Sequence, residues 1–301
     1  MADLHLDYID YKKLFKNRET RLKIINKLGF IPTVPYLKIV YKIKTGKKLD
    51  LKNPKTFTEK INWLKINDVH PEYSKYVDKY YMKKFIAEKY GEDKVFKLLG
   101  AWDNFDDIDF DTLPDKFVLK CSHDSASVHI IEDKSKINKQ ELRKFYNGRL
   151  KINAYNMGRE YPYKTVKPRI IAEELHETDD GNVISDYRIF CFNGKVKFFY
   201  VFSGRNKDER ETWFYADKTP MEGIIDPTGM VQHDNLVLPP CLDDMFKMAE
   251  ELAKGIKLVR VDLYEDKGKF YFGEMTFFPY GGYTVLQPEG WDRKIGDMLE
   301  L

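Results

Sequence analysis

Residues 259–276 constrain the fold most, because they read as two strands joined by a tight turn. Asp266-Lys267-Gly268 fits a three-residue loop, a type I turn closed by a left-handed glycine, which pairs residue 265 with residue 269. Counting back places Asp262 opposite Phe272 and Arg260 opposite Glu274. Arg260, Asp262, Glu274 and Thr276 then share one face, on which Asp262 and Glu274 are diagonal neighbours.

Two carboxylates and an arginine on one face can hold a magnesium ion against a nucleotide. Mg²⁺ takes hard oxygen ligands, usually one or two carboxylates completed by substrate phosphates and water. Asp262 and Glu274 would supply the carboxylates, and the Thr276 hydroxyl offers a further oxygen. The hairpin therefore predicts a magnesium site. The alternative is a row of surface salt bridges in which the arginine lies between the two acids.

The composition is that of a globular protein. The chain has 301 residues, of which 15% are aromatic, enough for a large core in one large domain or two smaller ones. Its apolar runs are too short to cross a bilayer and its first residues do not resemble a signal peptide, so we expect a cytoplasmic protein. Cys121, Cys191 and Cys241 lack metal-ligand spacing and are expected to be buried free thiols.

The N-terminal region is strongly basic. Residues 11–55 contain fourteen Lys and Arg against two acids, Glu19 and Asp50, whereas the whole chain has a net charge of +3. Such a face suits an anionic membrane or a lipid-linked glycan, which would place the protein at the periphery of the inner membrane face. A solvated face of lysines is the alternative. No nucleic-acid motif accompanies the charge, so no nucleic-acid partner is predicted.

Helix and strand patterns alternate along the chain and predict an α+β body. A basic helical region over 8–50, a helix over 58–66 and a helix over 74–90 precede strands at 117–121, 128–131 and 169–175, with a further helix over 139–150. Asn193-Gly194 joins two more strands as a hairpin, and a helix over 243–255 leads into the last hairpin. We divide the chain into a basic, mainly helical region (1–72), an N-terminal lobe (73–184) and a C-terminal lobe (185–301).

The order of these pieces resembles the ATP-grasp superfamily, in which two α+β lobes clasp ATP. Within it, the chain resembles the TupA-like branch, which is associated with teichuronopeptide and other cell-surface polysaccharide biosynthesis. The most specific matches are Lys167-Pro168-Arg169-Ile170-Ile171-Ala172-Glu173-Glu174, Phe192-Asn193-Gly194-Lys195, Trp291-Asp292 and Ile295-Gly296-Asp297.

The resemblance implies roles for individual residues. Lys79 and Lys120 would bind ATP phosphates, and Glu173-Glu174-Leu175 would be the hinge strand that holds adenine and ribose. Arg188 and Arg260 are the catalytic candidates, the first near the γ-phosphate and the second near the acyl phosphate. The remaining implied contacts are Ser122, His123, Ser125, Ser127 and Asp186 for the nucleotide, Asp262, Glu274 and Thr276 for two Mg²⁺ ions, and Tyr280, Gly281 and Gly282 for the acceptor substrate.

The loop expected to cover the phosphates departs from the family pattern, because Asp124 and Ala126 stand where glycine is expected. Glycine permits close backbone approach to a ligand. An acid beside a triphosphate is unfavourable unless a metal or an amine meets it. We therefore expect the loop to act through its serine hydroxyls or to bind ATP weakly.

The resemblance implies an ATP- and Mg-dependent carboxylate–amine ligase that acts through an acyl phosphate. It would form an amide on a sugar acid or amino acid in the biosynthesis of a capsule or other surface polysaccharide. The alternatives are a kinase of the same fold that stops at phosphoryl transfer, a nucleotide-binding pseudoenzyme, and a glycosyltransferase whose acidic motif is Asp243-Asp244 or Glu265-Asp266. Residues 159–163 and Arg205 are further candidates for the acceptor side, and surface salt bridges explain them equally well.

Overall fold

The computed structural model describes residues 18–125, 127–176, 184–203, 209–224, 236–288 and 290–301. Residues 8–17 of the predicted basic helix, Ala126 and Arg205 lie outside these ranges. The helices are α1 (Arg18–Lys27), α2 (Thr33–Thr45), α3 (Phe57–Asn67), α4 (Ser74–Val77), α5 (Lys79–Tyr90), α6 (Lys139–Arg149), α7 (Tyr155–Gly158), α8 (Leu242–Leu252) and α9 (Gly290–Asp297). The strands are β1 (Leu98–Trp102), β2 (Phe117–Cys121), β3 (His129–Ile131), β4 (Ile170–Glu174), β5 (Ser185–Phe192), β6 (Lys195–Ser203), β7 (Arg210–Tyr215), β8 (Leu258–Asp266) and β9 (Lys269–Thr276).

Two antiparallel sheets form the framework, which confirms the α+β prediction. One sheet has the order β1-β4-β2-β3 and the other the order β7-β6-β5-β8-β9. The chain passes from the first sheet to the second between β4 and β5, near the proposed boundary at residue 184. Strands β1 and β7 were not predicted from the sequence, whereas the Asn193-Gly194 hairpin was. The division into three regions stays a prediction.

The five-stranded sheet has one face covered by α8 and one face that carries charge. Ile189, Phe199 and Val261 lie at matching register positions and are buried, and Phe199 packs its ring against Phe246 of α8. Because side chains alternate across a strand, Arg188 and Asp262 face the other way. The sheet thus places the charged residues of three strands on the side away from α8.

The helix predicted over 74–90 is broken at Asp78. The Asp78 carboxylate accepts a hydrogen bond from the backbone N–H of Tyr80, so Asp78 is the N-cap of α5. A short acidic side chain that bonds its own backbone favours a helix start over a helix interior. Gly91 ends α5, as predicted. The break puts Lys79 at the first position of a new helix.

The N-terminal helices pack on the C-terminal lobe. Tyr36, Leu37 and Tyr41 of α2 form a small core with Tyr283, and Phe57 and Ile61 of α3 belong to the core of the five-stranded sheet. The residues of α1 to α3 are therefore part of the body of the protein.

Cys121, Cys191 and Cys241 are buried and free, as predicted. Within the described ranges no helix has the length and apolar character to span a bilayer.

A buried carboxylate joins the last helix to α3. Asp292 accepts hydrogen bonds from the backbone N–H of Thr58 at 3.1 Å and from its hydroxyl at 2.8 Å. Its position at the start of α3 also suits the helix dipole.

We expect Asp292→Ala to lower the free energy of unfolding by about 2 kcal/mol, because it leaves buried donors of Thr58 without an acceptor. Asp297→Ala removes an exposed pair with Arg293 and should cost less than about 0.5 kcal/mol. Urea unfolding of both variants measures the difference. Equal losses would show that Asp292 does not anchor α3.

Candidate functional site

The last hairpin has a different register from the one predicted. Asp266 pairs with Lys269, so the loop is the two residues Lys267 and Gly268, both with positive φ. A bulge at Gly273 then shifts the pairing by one residue, because the shift falls between Asp262 and Leu263. A Cβ at Gly273 would lie 2.9 Å from the Asp262 carbonyl oxygen, so the bulge needs glycine.

The corrected register brings the predicted metal residues closer together. Asp262 lies directly opposite Glu274, and Arg260 lies opposite Thr276. The predictions that Asp262 faces Phe272 and that Arg260 faces Glu274 are wrong, because they assumed a three-residue loop without a bulge. The four side chains still share one face. On the next strand Arg188 lies opposite Asp262, so a row of charges crosses β5, β8 and β9.

Arg260 holds the hairpin residues together. Its Nε and Nη2 donate to the two carboxylate oxygens of Asp262, each at 2.6 Å, and Nη2 also donates to the Thr276 hydroxyl at 3.3 Å. Burial raises the pKa of Asp262 to about 6, against the opposing charge of Arg260. A metal at this face would share the Asp262 carboxylate with Arg260.

The Glu274 carboxylate lies closer to Lys79 of α5 than to Arg260. Its carboxylate lies 3.2 Å from the Lys79 ammonium and 3.9 Å from Arg260. Burial alone would raise the pKa of Glu274, but the Lys79 and Arg260 charges outweigh it and lower the pKa to about 2. Glu274 is therefore ionised at neutral pH, as a metal ligand must be.

The donor set fits Mg²⁺ when phosphates complete it. Asp262 and Glu274 provide two carboxylates at directly opposed positions, the number that Mg²⁺ takes from proteins when substrate phosphates and water fill the octahedron. In the described part of the chain no three His, Cys, Asp or Glu residues cluster as a metal site. The site would thus depend on the nucleotide for its remaining ligands.

Two further lysines converge on the hinge strand β4. Lys120 lies 2.8 Å and Lys83 lies 3.4 Å from the carboxylate of Glu173, and Lys83 also donates to the Phe96 carbonyl oxygen at 2.9 Å. Burial lowers the pKa of Lys83 to about 8, in spite of Glu173. Sequence reasoning missed Lys83. It lies four residues after Lys79, on the same face of α5, and this spacing was the available signal.

The rest of the hinge segment is more open. Glu174 is exposed, and its backbone N–H donates to the Lys97 carbonyl oxygen at 3.0 Å. Leu175 follows β4 and is half-buried. Beyond it, His176 bonds Asp266 at 3.0 Å, which connects the hinge to the turn of the last hairpin.

Asp124 in the covering loop is neutralised within the protein. Arg149 donates to its Oδ2 from Nε at 2.7 Å and from Nη2 at 2.6 Å, and Ser127 donates to its Oδ1 at 2.5 Å. Arg149 also donates to the Ser125 carbonyl oxygen at 2.7 Å. Arg149 gave no local sequence signal, because it lies at the end of α6 and meets the loop only in the fold.

The loop also contains two polar atoms that no described residue bonds. The Ser122 hydroxyl and the Nδ1 of His123 are buried and have no hydrogen-bond partner among the residues that the structure describes. Such atoms are rare in folded proteins. The Ser122 hydroxyl can donate to a phosphate oxygen, whereas Nδ1 of neutral His123 is an acceptor, because Nε2 is the nitrogen that donates to the Arg149 carbonyl oxygen at 3.3 Å. Ser127 is committed to Asp124 and to the Cys121 backbone N–H, and the Ser125 side chain is exposed. Of the three serines, Ser122 is therefore the best candidate for a ligand contact.

Arg188 is fixed by two polar partners. It donates from Nε to Asp186 at 2.9 Å and from Nη1 to the Tyr200 hydroxyl at 2.7 Å. The Tyr280 hydroxyl donates to Tyr200 at 3.0 Å, which connects the predicted acceptor segment to this row. Asp186 is thus an ion-pair partner of Arg188 in this structure.

The two glycines of the predicted acceptor segment after β9 have different surroundings. Gly282 is buried against α3, where its carbonyl oxygen accepts from Asn62 at 2.7 Å and a Cβ would lie 2.6 Å from Ile61. The Gly281 carbonyl oxygen accepts from Lys65 at 2.6 Å, and a Cβ there would lie 3.6 Å from the Glu160 carboxylate. A Cβ at Gly281 would also lie 3.3 Å from the Tyr283 ring, so Gly281 lies between Tyr283 and Glu160, whereas Gly282 packs against α3.

Two other features lie outside this constellation. Asp243 and Asp244 begin α8 and form ion pairs with Lys218 and Lys247, so they sit on the opposite side of the sheet. A large open groove of ≈1290 Å³ runs between β3 and α6 and includes none of the predicted site residues. We place the site by its charged residues, because concave volume alone does not bring reactive groups together.

Comparison with known proteins identifies the family. The model of the TupA-like ATP-grasp family matches residues 59–300. No curated protein matches the chain.

Among solved structures, the chain is similar to D-alanine–D-alanine ligase from Bacillus anthracis complexed with ATP, at 15% identity and TM-score 0.38 over 67% of this chain and 56% of that one. It is also similar to the ATP-grasp ligase PsnB complexed with minimal precursor, Mg and ADP, at 12% identity and TM-score 0.40 over 76% and 59%. A third is D-alanine–D-alanine ligase from Helicobacter pylori, at 13% identity and TM-score 0.38 over 75% and 61%. The chain spans less than two thirds of each of these ligases. The family model, by contrast, covers most of the chain, and the chain belongs to the TupA-like ATP-grasp family.

Proposed function

We propose that the protein is an ATP-dependent carboxylate–amine ligase that acts through an acyl phosphate. The observation that carries the proposal is the opposed carboxylate pair Asp262 and Glu274, placed within reach of the Lys79 ammonium. Across the site the cations Lys79, Lys83, Lys120, Arg188 and Arg260 are matched with the anions Glu173, Glu274, Asp262 and Asp186. One more cation than anion suits a site that receives a triphosphate with its magnesium.

The reaction consumes a carboxylate, a protonated amine and ATP, and releases ADP, phosphate, an amide and one proton. A carboxylate oxygen bonds to the γ-phosphorus as the bond to ADP breaks, and the amine nitrogen then displaces phosphate from the carbonyl carbon. Bound Mg²⁺ would neutralise phosphate charge, held by Asp262 and Glu274 with Thr276 nearby. The protein itself does little covalent chemistry. Its residues position the reactants and neutralise the phosphate charge.

Each charged residue has a role that follows from its neighbours. Lys79 bonds the Asp124 carbonyl oxygen and Glu274 together, so it would bring the covering loop and the metal residues to the same phosphate. Arg188 and Arg260 flank Asp262, where charge develops during transfer. Lys120 would contact phosphate from β2.

Family context suggests the substrate, a carboxylate on a sugar acid or an amino acid destined for a surface polysaccharide such as a capsule or teichuronopeptide. The experiment is a screen of ADP release over uronic acids and amino acids, singly and in pairs, with hydroxylamine present to trap an acyl phosphate as a hydroxamate. We expect ADP and hydroxamate in equal amounts with the right carboxylate. ADP and hydroxamate without amide formation from any amine would identify a kinase that stops at phosphoryl transfer, and a nucleotide-induced thermal shift without ADP release would identify a nucleotide-binding pseudoenzyme.

Glu274→Gln should lower ADP release by about two to three orders of magnitude, because it removes one of two metal carboxylates and the partner of Lys79. Melting should remain cooperative. Glu265→Gln lies in the same hairpin beyond the site and keeps its acceptor oxygen for Gly268, so it should retain activity within about twofold. Wild-type ADP release by Glu274→Gln would rule out the metal assignment.

The N-terminal helices support a second, separate proposal, that this end contacts an anionic membrane. Phe30, in the turn between α1 and α2, is 81% exposed, and Ile39 of α2 is 55% exposed; Ile24 of α1 and Val34 of α2 are also exposed. Exposed lysines lie between them, Lys23, Lys27, Lys38 and Lys42. Apolar side chains set among lysines are the pattern of a surface that inserts into the headgroup region of anionic lipid.

The double variant Phe30→Ser/Ile39→Ser should weaken binding to phosphatidylglycerol-containing vesicles by about tenfold or more, since two apolar side chains no longer insert. Val69→Ser removes an apolar side chain that is 41% exposed elsewhere and serves as the control. Vesicle co-sedimentation measures both. Equal vesicle binding by the two variants would contradict membrane insertion and would mean that the lysines only keep the protein soluble. If the protein binds a pyrophosphate-linked glycan but not vesicles, the glycan is the partner. Point variants are preferable to truncation, because α2 packs against Tyr283.

A further inference from the structure

A small cavity lies beside the covering loop and has no role in the site described so far. It measures ≈170 Å³, the space of about five or six water molecules. Asp124 and Ser125 of the covering loop border it on one side. The other lining residues are Leu22, Arg149, Ile152, Ala154, Met157, Glu160 and Tyr163.

The cavity is next to the residues that would hold the transferring phosphate. Tyr163 lies in its wall, and the charges of Glu160, Glu274, Arg260 and Asp124 all act on its hydroxyl. The Glu160 carboxylate also lies beside Gly281, in the segment that follows the last hairpin. A molecule in the cavity would therefore lie between the covering loop and the hairpin.

One charge in this cavity is not balanced by contact. Asp124 and Arg149 neutralise each other. Glu160 makes no side-chain hydrogen bond or ion pair with any residue in the described ranges. The ammonium groups of Lys65 and Lys44 act on it electrostatically, and that of Lys65 is bonded to the Gly281 carbonyl oxygen. Burial raises the pKa of Glu160 in spite of the opposing charges of Lys65 and Lys44.

The walls restrict the kind of molecule that fits. Leu22, Ile152, Ala154 and Met157 offer apolar surface, so an alkyl group is favoured over a hydroxyl-rich sugar ring. A carboxylate substrate would face Glu160 and be repelled, whereas an ammonium group would complete its hydrogen bonding.

We propose that this cavity is the binding site for the amine substrate, and that Glu160 holds its ammonium group while the apolar walls hold a short aliphatic stem. The inference rests on the proposed ligase function, because only that reaction uses an amine. Glu160 is a binding residue in this account, and it takes no part in phosphoryl transfer.

The test compares a charged and an uncharged nucleophile on the same enzyme. Propylamine is protonated at neutral pH and hydroxylamine is not. With a carboxylate found by the ADP screen, Glu160→Gln should raise the KM for propylamine by roughly tenfold to a hundredfold, the effect of losing one hydrogen bond to a charged group. Hydroxamate formation should stay within about twofold of wild type. Glu88→Gln removes an exposed carboxylate on α5 and should change neither.

A second variant protects the test against a folding defect. Ala154→Phe fills the cavity and leaves the carboxylate in place, so it should also abolish propylamine use and spare hydroxamate formation. An unchanged KM for propylamine in either variant, with normal melting, would overturn the proposal.

A binding measurement separates this inference from the proposed function. Calorimetric titration of propylamine into protein loaded with Mg²⁺ and a non-hydrolysable ATP analogue should show binding that Glu160→Gln weakens and that propionate does not reproduce. If no carboxylate yields ADP but this binding is seen, the ligase proposal fails and the amine site stands. If hydroxamate forms but propylamine does not bind, the amine site fails alone.

Discussion

One ammonium group connects the two halves of the site. Lys79 Nζ donates to the Asp124 carbonyl oxygen in the covering loop and lies 3.2 Å from Glu274 on the last hairpin. The covering loop extends from the four-stranded sheet and the hairpin belongs to the five-stranded sheet. Burial would lower the pKa of Lys79, yet Glu274 and Asp124 raise it, so the group stays charged. The geometry of the site depends on this bridge, because no other side chain in the described ranges bonds both the covering loop and the last hairpin.

The bridge is possible because charge is balanced pair by pair around it. Glu173 forms ion pairs with both Lys83 and Lys120. Asp262 is paired with Arg260, and Asp186 is paired with Arg188. Isolated charges at this depth would be far too costly, so removing one member of a pair would destabilise the fold by leaving the other uncompensated. A triphosphate with magnesium would exchange these contacts for equivalent ones. This explains how a site rich in charge can exist before any ligand binds.

The covering loop shows how the chain compensates for its missing glycines. Arg149 and Ser127 bond the Asp124 carboxylate and fix its position. The positive charge of Arg149 compensates the negative charge of Asp124 beside the proposed phosphate site. Lys79 and Arg149 also hold the loop through its carbonyl oxygens. A glycine-rich loop obtains close approach by freedom of its backbone, whereas this loop is held in place by buried hydrogen bonds. The acid is therefore already neutralised inside the protein, and the expectation of weak ATP binding, which also rested on the missing glycines, stays a prediction.

The sequence by itself determined the local features: the alternation that puts Arg260, Asp262, Glu274 and Thr276 on one face, the Asn193-Gly194 hairpin, the end of α5 at Gly91, and the strings that indicate the family. These depend on neighbours a few residues apart, which a pattern can show. Register, the pairing of Glu173 with Lys83, the Arg149–Asp124 clamp and the cavity beside Glu160 were decided only by the tertiary structure. A single bulged glycine changes which residues are opposed, and ion pairs between residues distant in sequence form only when packing brings both partners out of water.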